Sequence, residues 1–223
     1  MNKTHAHKAS NQIVVGHPER SPLIMIIKRF VQFLFLLWVL PRLAWYGTTR
    51  QFVGDRAFLD CSESISKASG QWGVYVRQAY YRRTLRACGR DVYIGWLSTF
   101  SMHQATLGEG AYIGRRCSIG FADIGDKVML ADGVQILSGG REHGLAEDES
   151  ETHQDKSQRF QRLSIGEGAW LGTNCVIMAD VGAHSVIGAG AVVTKPIPSH
   201  SVAVGVPARV VKSIAQAKAG ERA

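Results

Sequence analysis

Aliphatic residues recur at every sixth position across most of the stretch from Ile94 to Val193, and the positions between them are small or polar. The chain reads Leu107-Gly108-Glu109-Gly110-Ala111-Tyr112, then Ile113-Gly114-Arg115-Arg116-Cys117-Ser118, then Ile119. It resumes as Ile124-Gly125 through Val128, Leu130-Ala131 through Val134, and Ile136. After a long interruption it returns at Ile165, Leu171 and Ile177, and again at Val181, Ile187 and Val193. No helix repeats at six, and a plain strand alternates at two. The period suits short strands separated by sharp turns and stacked as a parallel β-helix. The aliphatic residue at position i fills a narrow interior. The residue at i+4 (Ala111, Cys117, Val128, Val134, Ala169, Cys175, Ser185, Ala191) also points inward and is small enough for coils to stack. Glycine at i+1 removes a Cβ where the backbone bends.

The pattern divides the chain. Residues 1–20 are polar and are expected to be disordered. Residues 21–46 contain the apolar run LIMIIKRFVQFLFLLWVL, in which Lys28, Gln32 and Arg42 share one helical face with Arg29 at its edge. An amphipathic helix lying in a membrane interface is expected, anchored by Trp38, Trp45 and Tyr46. A helix packed on the solenoid or on a neighbouring subunit is the alternative. The run starts late and lacks a small-residue cleavage site, which argues against a cleaved signal peptide. Residues 47–91 read as a helical linker with a helix over Tyr75–Cys88 that ends at Gly89. Its Arg77, Arg82, Arg83, Arg86 and Arg90 form either a solvated face or a contact with anionic lipid. Residues 92–206 are the solenoid, interrupted by a polar excursion over 139–162, and 207–223 are a tail or short helix.

The end of the repeat is the most specific part: Val186-Ile187-Gly188-Ala189-Gly190-Ala191-Val192-Val193-Thr194-Lys195-Pro196, followed by Gly205-Val206-Pro207-Ala208-Arg209. These residues resemble the closing coils of the left-handed β-helix hexapeptide-repeat acyltransferases, of the maltose and galactoside O-acetyltransferase type and of polysaccharide O-acetyltransferases. The likeness covers about residues 92–211, and its frame slips at Ile119–Ile124 and Ile177–Val181, beside Ala179 and Asp180. The expected fold class is therefore all-β: a left-handed parallel β-helix with an N-terminal helical appendage and a long inserted loop.

The resemblance implies an acyl-CoA donor, with acetyl-CoA expected, and a homotrimer that shares its sites between chains. It also implies that the loop begins with a catalytic histidine, a placement matched by Ser138-Gly-Gly-Arg-Glu-His143. Acyl transfer to a hydroxyl needs a base near neutrality, which imidazole supplies. His143 is the candidate base, with His153 next in line. Glu142, Asp132 and Asp148 are candidate carboxylates beside it, Glu142 and Asp132 at the substrate. No Ser or Cys adjoins His143, so direct transfer is expected. For the donor, Thr194, Lys195 and Arg209 lie in the family-like motifs, Gly188, Ala189 and Gly190 keep the wall low, and Trp170 is the residue type that lines related sites.

Composition narrows the alternatives. Four cysteines show neither disulfide nor metal-ligand spacing, and no metal is expected. The net charge of +8 comes without a nucleic-acid motif, so no nucleic-acid partner is expected. The acceptor expected is a sugar or lipid-linked oligosaccharide at the cytoplasmic face of a membrane, in cell-surface polysaccharide assembly. A γ-type carbonic anhydrase would need three converging histidines, and His103, His143, His153 and His184 lack its close pair. A catalytically inactive scaffold is the non-enzymatic alternative.

Overall fold

The computed structural model describes residues 22–138 and 160–214, as three helices followed by sixteen short strands. The helices are α1 (Pro22–Val53), α2 (Arg56–Ser66) and α3 (Gly70–Thr84). The strands wind into a prism of three parallel sheets. The first holds β1 (Ala87–Cys88), β4 (Thr106–Leu107), β7 (Ala122–Ile124) and β10 (Leu163–Ile165). The second holds β2 (Tyr93–Ile94), β5 (Tyr112–Ile113), β8 (Met129–Leu130), β11 (Trp170–Leu171), β13 (Val186–Ile187) and β15 (Ser201–Val204). The third holds β3 (Thr99–Phe100), β6 (Ser118–Ile119), β9 (Gln135–Ile136), β12 (Val176–Ile177) and β14 (Val192–Val193). One further strand, β16 (Arg209–Ser213), turns back antiparallel on β15 and ends the second sheet.

The core is the one that the hexad predicts. Ile94, Ile113, Leu130, Leu171 and Ile187 stack through the interior, and every i+4 residue from Ala111 to Ala191 is buried. Ser185 is satisfied there, donating to the Pro198 carbonyl at 2.7 Å and accepting the Ser201 N–H at 3.1 Å. All four cysteines are free, and burial pushes the Cys175 thiol up to about 12. Such thiols pack and do not react.

Glycine at i+1 has a different cause from the one expected. A Cβ on Gly172 would stand 2.5 Å from the Ala189 nitrogen, so this position keeps neighbouring coils in contact. The left-handed residue that makes the bend sits at i+3: Leu97, Gly110, Arg116, Lys127, Gly133, Gly168, Asn174, His184, Gly190 and His200 all have positive φ. The two roles separate experimentally. Gly172→Ala should destabilise by about 1–3 kcal/mol through overpacking. Gly190→Ala, whose Cβ would meet open space at φ +68, should lose about 1–2 kcal/mol of stability through backbone strain alone. Thermal melts of the two variants check this, and the reverse ranking would refute the assignment.

Breaks in the frame concentrate on one corner. The turns from first to second sheet and from second to third keep the six-residue spacing. At the corner from the third sheet back to the first, the step between inward residues varies: Phe100 to Leu107, Ile119 to Ile124, Ile136 to Ile165, Ile177 to Val181, and Val193 to Ile197. Stacking nonetheless continues, because Val181 bridges to both Ile165 and Ile197.

Several boundaries differ from those expected. The first helix does not end at residue 46 but runs to Val53, because Phe35, Val39, Leu43 and Tyr46 join the core. The third helix ends at Thr84, so the solenoid begins at β1, before residue 92. The segment expected as a tail after residue 206 supplies β16. Arg77 belongs to no solvated or lipid-facing surface: it is 1% exposed. Its guanidinium donates to the carbonyls of Ile94 (2.8 Å), Ser66 (3.2 Å) and Ala68 (2.6 Å). Around it α2 and α3 roof the open end of the prism. There Ser62 Oγ lies 2.7 Å from the Tyr81 hydroxyl and accepts the Phe100 N–H at 3.0 Å.

The first helix is apolar on two sides, with Phe35, Val39, Leu43 and Tyr46 packed inward, while Gln32 and the exposed Arg42 sit at the rims of cavities shared with α3 and with α2 and α3. Ile26, Ile27, Phe30, Phe33, Leu34, Leu37 and Trp38 form the exposed stripe.

Candidate active site at the variable corner

The variable corner gathers polar groups where the repeat cannot. Ser138 closes the third coil and is buried, its Oγ accepting the Phe121 N–H at 3.0 Å. Its carbonyl accepts the Gln161 N–H at 2.7 Å, which ties the two ends of the intervening segment together. The Arg162 guanidinium lies 4.4 Å from the centre of the Phe121 ring and 3.3 Å from the Asp123 carboxylate, which also accepts from Thr106 at 2.8 Å. Cation–π contact and ion pair together hold the base of the segment against the solenoid.

A cavity of about 430 Å³ opens beside this base. Asp55, Arg56 and Leu59 come from the start of α2, Ser101, Met102 and Gln104 from the first coil, and Phe121 and Phe160 from the base itself. Its walls therefore offer apolar surface, a carboxylate and a guanidinium, a mixture suited to a polyhydroxylated ligand. Sequence reasoning missed these residues, since none belongs to the periodic pattern. Next to it, His103 Nδ1 lies 3.3 Å from the Asp55 carboxylate and Nε2 lies 3.3 Å from Arg50.

The residues singled out from the sequence fall into three groups. His143, Glu142, Asp148 and His153 lie outside the described residues. Asp132 sits at the corner between the second and third sheets. Its carboxylate accepts the Arg115 backbone N–H at 2.8 Å and pairs with that residue's guanidinium at 2.8 Å, which holds its pKa below the ordinary carboxylate range. The donor residues flank the third sheet. Gly188, Ala189 and Gly190 form the turn at the same corner as Asp132, and Gly205–Ala208 crosses above them, bonded to Val192, to lead into Arg209. Thr194 and Lys195 leave β14, exposed, at the variable corner. Trp170 stands apart on the outer face of the second sheet, half-exposed between Met129 and Val186. Among the described residues no group of three His, Cys, Asp or Glu side chains suits a metal ion.

A hexad-filled parallel prism with an elaborated corner defines a hexapeptide-repeat solenoid, and comparison agrees. The family described as bacterial transferase hexapeptide (six repeats) matches residues 163–195. Galactoside O-acetyltransferase of Escherichia coli K12 is 38% identical over 94 residues, 41% of this chain and 43% of that enzyme. The crystal structure of a maltose O-acetyltransferase from Clostridium difficile 630 superposes with a TM-score of 0.59 at 26% identity, over 73% of this chain and 87% of that one. A hexapeptide-repeat acetyltransferase from Vibrio cholerae O1 biovar eltor, complexed with acetyl coenzyme A, shares the fold with a TM-score of 0.59 at 19% identity, over 75% of this chain and 91% of that one. The chain carries the hexapeptide-transferase repeat over residues 163–195 and is similar along its solenoid to hexapeptide-repeat acetyltransferases. It spans less than half the length of the first curated relatives that it matches.

Proposed function

We propose that the protein is an acetyl-CoA-dependent O-acetyltransferase that modifies a sugar hydroxyl during cell-surface polysaccharide assembly. The observation that carries this reading is the coincidence, on one corner, of the variable repeat length, the pinned base of the segment bearing His143 and a cavity of about 430 Å³. In the reaction, the His143 imidazole takes the proton of the acceptor hydroxyl as its oxygen attacks the thioester carbonyl. The tetrahedral intermediate then collapses, the carbon–sulfur bond breaks, and the coenzyme A thiolate leaves with a proton returned from the imidazolium. No covalent enzyme intermediate is needed.

The two edges of the third sheet suit a long donor. Lys195 and Arg209 supply cations for its phosphates, and the Gly188–Gly190 turn gives low backbone against which the pantetheine arm lies. Replacing Lys195 or Arg209 by Ala should raise the KM for acetyl-CoA by roughly 5- to 150-fold with little change in kcat, the pattern of uniform binding loss. Added salt should reproduce part of the rise. Unchanged donor KM in both variants at low ionic strength would move the phosphates elsewhere.

A homotrimer fits the second sheet, whose outer row of Tyr93, Tyr112, Met129, Trp170, Val186 and Val202 is apolar. Association with the cytoplasmic face of a membrane fits α1, in which Phe30–Val53 is apolar and long enough to cross a bilayer and is mostly uncovered. The direct test is a screen of purified protein with acetyl-CoA against sugar acceptors, following thiol release. Turnover with a sugar supports the proposal. Acetyl-CoA binding without transfer to any acceptor would favour the scaffold reading, and zinc-dependent hydration of carbon dioxide would favour the carbonic anhydrase.

A further inference from the structure

A second cavity, of about 460 Å³, lies between α1 and α3, away from the variable corner, and its lining is unlike that of the acceptor pocket. Arg82 and Arg83 at the end of α3 and Arg90 beyond β1 all line it, and none of the lining residues is a carboxylate. Arg90 pairs with Glu109, which lies outside the lining, at 3.4 Å. Gln78, also in the wall, is 8% exposed. Its Nε2 donates to the Val92 carbonyl at 2.5 Å, while its Oε1 is buried without a partner. Three guanidinium groups call for a phosphate.

The same cavity adjoins the uncovered apolar stripe of α1. Phe33 belongs to both, lining the cavity while standing 53% exposed. From it the stripe continues through Ile26, Phe30, Leu37 and Trp38 on a single face of the helix. Cationic pocket and apolar ridge are thus contiguous, the arrangement that an amphiphile requires. We propose that this cavity binds the phosphate headgroup of an anionic glycerophospholipid, with the α1 stripe in the acyl layer beside it. The proposal rests on the membrane reading of α1 and assigns it a lipid preference and an orientation.

The test uses the full chain and vesicles of phosphatidylcholine, either alone or mixed with phosphatidylglycerol, and reads binding by co-sedimentation. Wild-type protein should bind the mixed vesicles more tightly, and Arg82→Gln/Arg83→Gln should lose about 30-fold of that affinity, from about 1 kcal/mol per basic residue. A control, Lys127→Gln/Lys212→Gln, removes the same charge from the solenoid and should lose much less. Circular dichroism establishes that both variants fold. Equal losses in the two variants would reduce the effect to net charge and overturn the site, as would unchanged binding in the arginine variant. Failure of the wild-type protein to bind either vesicle would overturn the membrane reading itself, while acetyl transfer to a soluble acceptor, assayed in parallel, reports on the catalytic reading separately. Competition by inorganic phosphate at matched ionic strength should leave vesicle binding intact, and displacement would assign the pocket to a free anion.

Discussion

Replacing Arg77 by Met is expected to destabilise the protein by about 3–5 kcal/mol, because three hydrogen bonds from a charged donor are lost together. The side chain is 1% exposed, and its charge is met by the carbonyls of Ser66, Ala68 and Ile94. Ser66 and Ala68 lie at the end of α2, where the helix dipole presents its negative pole. Each hydrogen bond to a charged group contributes about 1.5–3 kcal/mol, although the Ser66 carbonyl would keep the Leu97 N–H at 2.9 Å. Burial lowers the arginine's pKa, yet the group stays cationic across the accessible pH range. Three elements meet on one fork, so the loss should loosen the roof of the prism before its coils. Denaturant unfolding followed separately by far-ultraviolet circular dichroism and tryptophan fluorescence checks this. A change below about 1 kcal/mol would mean that the roof holds without its cation. Lysine at 77 should restore less than half of the loss, since one ammonium cannot span three divergent acceptors.

The second large effect concerns catalysis. His143→Ala should lower kcat by about 10²- to 10⁴-fold, the usual contribution of one positioned base, with the melting temperature unchanged. The fold should survive because both ends of the segment are held independently of its contents, by the Ser138–Gln161 hydrogen bond and the Arg162 contacts. The base must be neutral to accept a proton, so wild-type kcat/KM should fall as pH drops through the imidazole range, near about 6.5. Retained turnover in a folded His143→Ala variant would transfer the role, with His153 the next residue to replace.

How far the chain could be read in advance depended on what its pattern encodes. Interior positions were legible because a narrow prism admits a large aliphatic residue at i and a small one at i+4, and little else. The bend position at i+3 was not, because the left-handed conformation there is taken by Leu97, Arg116, Lys127, Asn174 and His184 as well as by glycine. Neighbouring coils over-determine the backbone, and side-chain identity then carries little signal. Charge misled the reading of α3. A helical wheel shows Arg77 beside other arginines but cannot show that the Ser66 and Ala68 carbonyls at the end of α2 lie within its reach. At the candidate site, the residues proposed for the donor could be named because they lie in repeats, whereas Asp55, Arg56, Phe121 and Phe160 converge only through folding.

One consequence of the variable corner concerns how such a protein can change. Inward and outward facing are counted in residues from turn to turn, so one residue added at the Gly188–Gly190 turn would rotate Val193, and every position after it, out of phase with the strands below. The corner at Ala179–Asp180 has no such parity to protect, because its coils already differ in length and stack regardless. Insertions, deletions and whole grafted segments can accumulate along that edge without disturbing the rest. The protein therefore keeps one edge as a site of free variation while the Gly188–Gly190 turn stays fixed in length.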